Sequence, residues 1–214
     1  MKIICIGRNY VKHIEELANE KPEKVKELGN LFEEWKSQGI LFYETEKLDG
    51  TSATFYFNNG VFGICSRNWE LEETEGNSYW RVARELKLEE SFRAYGKNLS
   101  LQAEMIGEGI QGNPYKIKGQ TIRVFNVFDI DTQRRLNFGE MFGSTIMIFD
   151  GVETVPLISA SFTLPDTIDE LLKHVEGKST LNPQANHEGS VFRSLDGKIS
   201  FKVISNQFLL KNEK

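Results

Sequence analysis

The chain has 214 residues, 39% apolar and 27% charged, enough for a real core in one large domain or one domain with an appendage. Its net charge of -5 is unlike that of a protein that merely coats nucleic acid, although a local groove on an acidic chain can still take RNA. Two cysteines, Cys5 and Cys65, exclude a disulfide scaffold and make no zinc motif; they read as buried thiols in a reducing compartment. No run approaches the ~18 apolar residues of a membrane span. The start, Met1-Lys2-Ile3-Ile4-Cys5, is too short for a signal peptide, so a soluble cytoplasmic protein with no membrane partner is expected.

Residues 3–6 read as a short apolar strand leading into Gly7-Arg8-Asn9-Tyr10. Helical patterning follows, with Val25, Leu28, Phe32 and Trp35 in one apolar stripe and Gly39 as the stop. Residues 1–40 are thus expected to be a strand-and-helix appendage packed on a main body of residues 41–214. From residue 41 the pattern turns to strands: 41–47, then 53–57 and 61–66 joined through Asn58-Asn59-Gly60, where Asn-Gly favours a tight hairpin turn. Asn77 is placed to cap a helix running to about Leu86. Residues 99–106 and 121–130 are strongly strand-like. Asp166 is placed to cap a helix whose apolar face holds Ile168, Leu171, Leu172 and Val175. A last hairpin joins 189–194 to 198–205 through Asp196-Gly197. Strands dominate and helices intervene irregularly, which predicts an α+β fold with mainly antiparallel sheets.

Lys47 lies in Glu46-Lys47-Leu48-Asp49-Gly50-Thr51. A lysine at the end of a strand, followed by a tight Asp-Gly loop, suits an amine that attacks phosphorus. Only the neutral amine is nucleophilic, and an unperturbed lysine titrates near ~10.4, so burial or a nearby cation must favour the neutral form. A triphosphate with Mg²⁺ and a second lysine would supply that cation. Lys202 is the best second lysine, because its strand turns Ile199, Phe201 and Val203 to the core and Lys202 the other way.

Further segments follow in order: Ser66-Arg67-Asn68; Glu104-Met105-Ile106-Gly107-Glu108-Gly109-Ile110-Gln111-Gly112-Asn113; Phe125-Asn126-Val127-Phe128-Asp129-Ile130; Glu188-Gly189 with Ser190-Val191-Phe192-Arg193; and Phe201-Lys202-Val203-Ile204-Ser205. With Lys47-Leu48-Asp49-Gly50 as the first, this set resembles the ATP-dependent RNA ligases of the covalent nucleotidyltransferase superfamily over roughly residues 41–212. The Gly-Ile-Gln run resembles the pattern typical of RNA ligases within that superfamily and is the most family-specific segment.

The resemblance implies a nucleotidyltransferase (ATP-grasp-like) core of two antiparallel-rich sheets flanking a nucleotide cleft, with peripheral helices. It implies that Lys47 attacks the α-phosphate of ATP and expels pyrophosphate, leaving lysyl-AMP. AMP would pass to an RNA 5′-phosphate, and a 3′-hydroxyl would displace it to seal the strand, with Mg²⁺ or Mn²⁺ as cofactor. By the same resemblance the backbone of Glu46 meets the adenine edge, and Asp49 and Gly50 shape the loop. Arg67 contacts the nucleotide or the 3′-hydroxyl end; Glu104 holds a ribose hydroxyl or a metal water. Phe128 stacks on adenine beside Asp129, leaving Phe125 for the core. Glu188 faces the metal, Arg193 stands where relatives carry a basic residue, and Lys202 binds the α-phosphate. His187 is read as a surface histidine and not as a ligand. Gln111 and Asn113 belong to the Gly-rich loop.

The sequence departs from the pattern at Ile204, where relatives end in Lys-x-Lys; Lys198 is the available substitute. No accessory RNA-gripping domain fits in this length, so adenylylation is better supported than sealing, and an accessory RNA-binding subunit is left open. The alternatives are a DNA ligase or capping-type guanylyltransferase of the same superfamily, or a non-catalytic RNA-binding relative. The opening Cys5-Ile6-Gly7-Arg8-Asn9-Tyr10-Val11-Lys12-His13 also resembles the start of fumarylacetoacetate-hydrolase-type enzymes, but that family's metal carboxylates do not follow.

Overall fold

The computed structural model describes residues 3–6 and 22–212, with side chains from residue 30 to residue 210. In chain order the elements are β1 (Ile3–Ile6), α1 (Pro22–Ser37), β2 (Phe42–Glu46), β3 (Thr51–Asn58), β4 (Val61–Cys65), α2 (Ser78–Glu85), α3 (Leu88–Tyr95), β5 (Leu99–Gly107), β6 (Gln120–Asp129), β7 (Arg134–Arg135), α4 (Phe138–Ile148), β8 (Glu153–Thr154), β9 (Leu157–Phe162), α5 (Ile168–His174), β10 (Gly189–Ser194), β11 (Ser200–Ile204) and α6 (Asn206–Asn212). They make two units. The first takes the chain up to Leu48 and again from Pro156; the second is Asp49–Val155. The fold class is α+β with two largely antiparallel sheets, as the sequence implies.

In the first unit the strand order is β1-β11-β10-β2-β9, with β1 parallel to β11 and the other pairs antiparallel. Strand β2, which leads directly into Lys47, therefore runs between β10 and β9, both of which come from far along the chain. One face of the sheet holds a small core of Phe32, Phe42, Leu171, Val175, Phe192, Phe201 and Val203. The expected stripe of α1 is used there: Phe32 is buried, and Trp35 stacks on Phe201 with ring centroids 5.5 Å apart. Val25 and Leu28, the rest of that stripe, lie outside the residues whose side chains are described, as do Cys5 and the whole 5–13 segment. Helix α1 stops before Gly39, whose φ of +61° suits the residue that ends a helix.

One cap moves by a residue. Thr167, not Asp166, caps α5: its hydroxyl accepts the Glu170 N–H at 3.2 Å, and the Glu170 carboxylate accepts the Thr167 N–H at 3.2 Å. Thr-x-x-Glu is a reciprocal box that satisfies two otherwise orphaned donors, which a lone Asp166 would not.

In the second unit the order is β4-β3-β5-β6-β7, with short β8 parallel to β6. The β3–β4 turn forms as its sequence predicts, with φ of +50° at Asn59 and +84° at Gly60. Asn77 caps α2 by accepting the N–H groups of Tyr79 at 3.0 Å and Trp80 at 3.4 Å. One sheet face and α2, α3 and α4 enclose the larger core, where Phe92 meets Phe149 edge-on at 4.8 Å and Phe62 meets Trp80 at 5.6 Å.

Phe125 is not the core aromatic. The β5–β6 register shifts between Gln102 and Ala103, so Val124 and Asn126 pair with consecutive β5 residues and Phe125 is the extra one. The core positions are Val124 and Val127, and the bulge leaves Phe125 and Phe128, both partly exposed, on the other face.

Candidate active site

Lys47 follows β2 directly, and its N–H donates to the Gly189 carbonyl at 2.8 Å, continuing the ladder to β10. Along β2 the side chains of Phe42, Glu44 and Glu46 take one face, and Tyr43, Thr45 and Lys47 the other. On that second face, Thr45, Val191 and Lys202 stand opposite one another across three strands, and Arg193 stands opposite Tyr43. The first unit thus brings Lys47, Arg193 and Lys202 to one sheet face.

The Lys47 ammonium donates to the Glu188 carboxylate in a direct ion pair, with the two side chains 23% and 12% exposed. Gly189 makes this possible. Its φ is +150°, and a Cβ there would run into the Val203 carbonyl, so only glycine lets the chain enter β10 with Glu188 turned toward the lysine. Arg193 is buried, and desolvation pushes its guanidinium down, offset in part by Tyr43. Lys198, expected from the sequence as the available substitute for a second lysine, lies in the β10–β11 turn, 82% exposed and 3.2 Å from Asp196.

Glu46 points to the opposite face. It is not surface but 1% exposed; its N–H donates to the Pro156 carbonyl at 2.9 Å, and its Oε2 accepts the Thr180 N–H at 2.9 Å. Its Oε1 has no hydrogen-bond partner. His187 is buried too, with Nδ1 3.2 Å from the Val175 carbonyl.

Behind the nucleophile strand lies a network that sequence reasoning misses. The buried Glu44 carboxylate accepts the Ser190 hydroxyl at 2.6 Å and meets His174 Nε2 at 2.8 Å. The one available signal is a charged residue on the core-facing parity of an otherwise apolar strand, since such a group is rarely buried without partners.

The second unit places its residues on the face of its sheet turned from its core. Glu104 lies between the buried Ala103 and Met105 and opposite Ser52 and Arg123. Phe128 shares that face through the bulge, and Asp129 beside it accepts the Thr132 N–H at 2.9 Å, which holds its carboxyl below the usual range. Gly50 packs against Glu104: a Cβ there would sit 2.8 Å from Glu104 Cγ and 2.8 Å from Ile106 Cγ2. The Asp49 N–H donates to the Tyr115 hydroxyl at 2.5 Å. Arg67 is exposed in the loop after β4. Cys65, expected to be a buried thiol, is only partly covered at the end of β4, and its desolvation raises its pKa.

Among the described residues no three His, Cys, Asp or Glu side chains cluster so as to hold a metal ion unaided. A single carboxylate such as Glu188 matches the way magnesium-like cations are held, by one or two carboxylates with phosphate and water completing the shell.

Comparison with known proteins fixes the family. The RNA ligase family model matches residues 40–205. The chain is 40% identical to a Naegleria gruberi RNA ligase solved as a lysine-to-methionine mutant with AMP and Mn, at a TM-score of 0.80, covering 86% of this chain and 55% of that one. It is also 40% identical to the same ligase solved as an arginine-to-alanine mutant with ATP and Mn, at a TM-score of 0.79 and with 86% and 55% of the two chains covered. The same identity, TM-score of 0.79 and coverage of 86% and 55% hold for that ligase with PPi. The chain therefore spans about 55% of the length of these relatives. No curated protein matches it. The chain belongs to the RNA ligase family.

Proposed function

We propose that the chain is the nucleotidyltransferase part of an ATP-dependent RNA ligase, with residues 41–214 as that domain and residues 1–40 as its appendage. The observation that carries the reading is the Lys47–Glu188 ion pair on the sheet face that also presents Lys202. Support comes from the relatives solved with AMP, ATP, Mn and PPi, the substrate, products and metal of such a reaction.

Lys47 Nζ gives its ammonium proton to solvent, attacks the α-phosphorus of ATP as the neutral amine, and loses a second proton to solvent as the bond forms. A nitrogen–phosphorus bond forms, the bond to the bridging oxygen breaks, and pyrophosphate leaves. A 5′-phosphate oxygen of RNA then attacks the same phosphorus and frees the lysine. A 3′-hydroxyl finally attacks the RNA phosphorus and AMP leaves.

While Glu188 holds the ammonium, Lys47 has no free lone pair. Glu188 is also the residue that would hold Mg²⁺ or Mn²⁺. The bound ion would neutralise charge developing on the phosphates. Lys202 supplies a fixed positive charge at the α-phosphate. The Glu46 backbone meets the adenine edge, Phe128 stacks on the base, and Glu104 takes the ribose. Asp49 and Gly50 shape the loop, and Arg67 serves the nucleotide or the 3′-hydroxyl end. The partners are RNA 5′-phosphate and 3′-hydroxyl ends, and the setting is cytoplasmic.

Intact-mass measurement tests this. With ATP and Mg²⁺ the wild-type protein gains one AMP, and Lys47→Ala gains none. An adduct from GTP only moves the chain to the capping-type reaction, and no adduct from any nucleoside triphosphate overturns the catalytic reading.

A further inference from the structure

Three consecutive residues, beginning two after Lys47, are each tied to a different side chain of the second unit. The Asp49 N–H donates to the Tyr115 hydroxyl at 2.5 Å, Gln111 Nε2 donates to the Gly50 carbonyl at 3.3 Å, and Thr51 Oγ1 lies 3.1 Å from the Tyr79 hydroxyl. Strand β3 begins only at Thr51, so Asp49 and Gly50 lie outside the ladder that sets the rest of the strand. Their backbone is fixed by side chains instead.

The loop that carries two of these side chains is built against backbone preference. Gln111, Asn113 and Lys116 take φ of +47°, +48° and +55°, a left-handed conformation that L side chains adopt at a cost. Asn113 locks it from within: its Nδ2 donates to the Ile117 carbonyl at 2.9 Å and its Oδ1 accepts the Ile117 N–H at 3.1 Å. Tyr115 is 6% exposed, so its hydroxyl is delivered by a ring held in place. Strain that persists in a loop needs surroundings that over-determine it, and it concentrates where geometry serves function.

We propose that Tyr115 and Gln111 form a clamp that sets the chain immediately C-terminal to Lys47, and that Tyr115 is a positioning residue for transfer of the nucleotide to that lysine. This rests on the adenylylation reading above. The clamp acts on the backbone of Asp49 and Gly50. It restricts the backbone from which the nucleophile projects, and misplacement of a reacting atom by about an ångström costs up to about a hundredfold in rate.

The test is the rate of AMP adduct formation, followed by intact mass as a function of ATP concentration, with the melting temperature measured beside it. Tyr115→Phe keeps the ring and loses the acceptor. It lowers the maximum rate about tenfold, while the half-saturating ATP concentration stays within about twofold and melting stays close to wild type. Gln111→Leu removes only the exposed tie to Gly50 and moves the maximum rate in the same direction; it decides the matter if Tyr115→Phe fails to fold. Wild-type maximum rates in both variants, or a loss seen only as weaker ATP dependence, overturn the clamp alone. No adduct in the wild type overturns the functional reading and the clamp's role together.

Discussion

The two units spend their interiors differently. In the second, twenty buried apolar residues form the core, and the buried polar residues are three neutral ones, Ser100, Asn126 and Thr145. Among the described residues of the first, seven buried apolar residues form the core, and ten polar or charged residues are buried, among them Glu44, Glu46 and Arg193. Burying a charge is unfavourable unless it is paired, and even paired it is weak evidence for stability. The difference teaches that the second unit is built mainly to be rigid, whereas the described part of the first gives up packing to bury charges on both faces of the sheet that carries Lys202 and leads into Lys47.

The largest effect that bears on this contrast is expected in the apolar unit. Phe92→Ala should cost about 3–5 kcal/mol, as large aromatic deletions in tight cores do. Hydrogen exchange should show the loss in β3, β5 and β6 and spare β10 and β11. Equal loss of protection in both sets would mean that the units do not open separately.

Arg193→Met inverts the expectation. Removing the buried cation lifts its desolvation cost but also takes away its hydrogen bond to Tyr43, so the two effects offset and melting should stay within about 1 kcal/mol of wild type. The AMP adduct should form about tenfold more slowly once that positive charge is gone. Severe destabilisation with unchanged adduct formation would make the buried charge structural and dissolve the contrast.

The smallest effect lies on the surface of the second unit. The Arg134 guanidinium, helped by the Asn137 N–H, pulls the Glu140 carboxyl from 4.5 down to about 2. A depressed acid contributes stability above its unfolded pKa and loses it as pH falls, here between 4.5 and about 2. Both side chains are well exposed, so the contribution is about 1 kcal/mol at most. Glu140→Gln should lower the melting temperature slightly at neutral pH and match wild type near pH 2. A gap that persists in acid would point to a cause other than the charge.

Much of this was legible in the chain itself. Alternation marked β3, β5, β6, β10 and β11, and Asn-Gly and Asp-Gly marked two hairpins, because strands with one buried face carry a period of two. What escaped has physical causes. Leu157–Phe162 is an edge strand with little burial on either face, so no alternation is imposed on it. Phe138–Ile148 is apolar on nearly every side and holds two glycines, which hides its helical period. Leu88–Tyr95 begins only two residues, Leu86 and Lys87, beyond the end of the preceding helix, with Lys87 rather than glycine taking the left-handed φ of +51° between them. The Phe125 bulge shifts a register, and no local signal records it. At the site, Lys47, Glu188 and Lys202 were named from ordered motifs, but the Glu44–Ser190–His174 network depends on strands and a helix distant in sequence.

The strand order of the first unit also dictates a timetable. Strand β2 pairs on one side with β9 and on the other with β10, and the whole second unit is threaded between β2 and β9. During synthesis that insert can fold as a continuous stretch while the reactive lysine still lacks a carboxylate to hold it. Pairings between remote segments form slowly because a long loop must close first. The Lys47–Glu188 pair is therefore assembled late, and a chain halted before residue 188 holds the second unit whole but lacks β10, β11 and the carboxylate that meets Lys47.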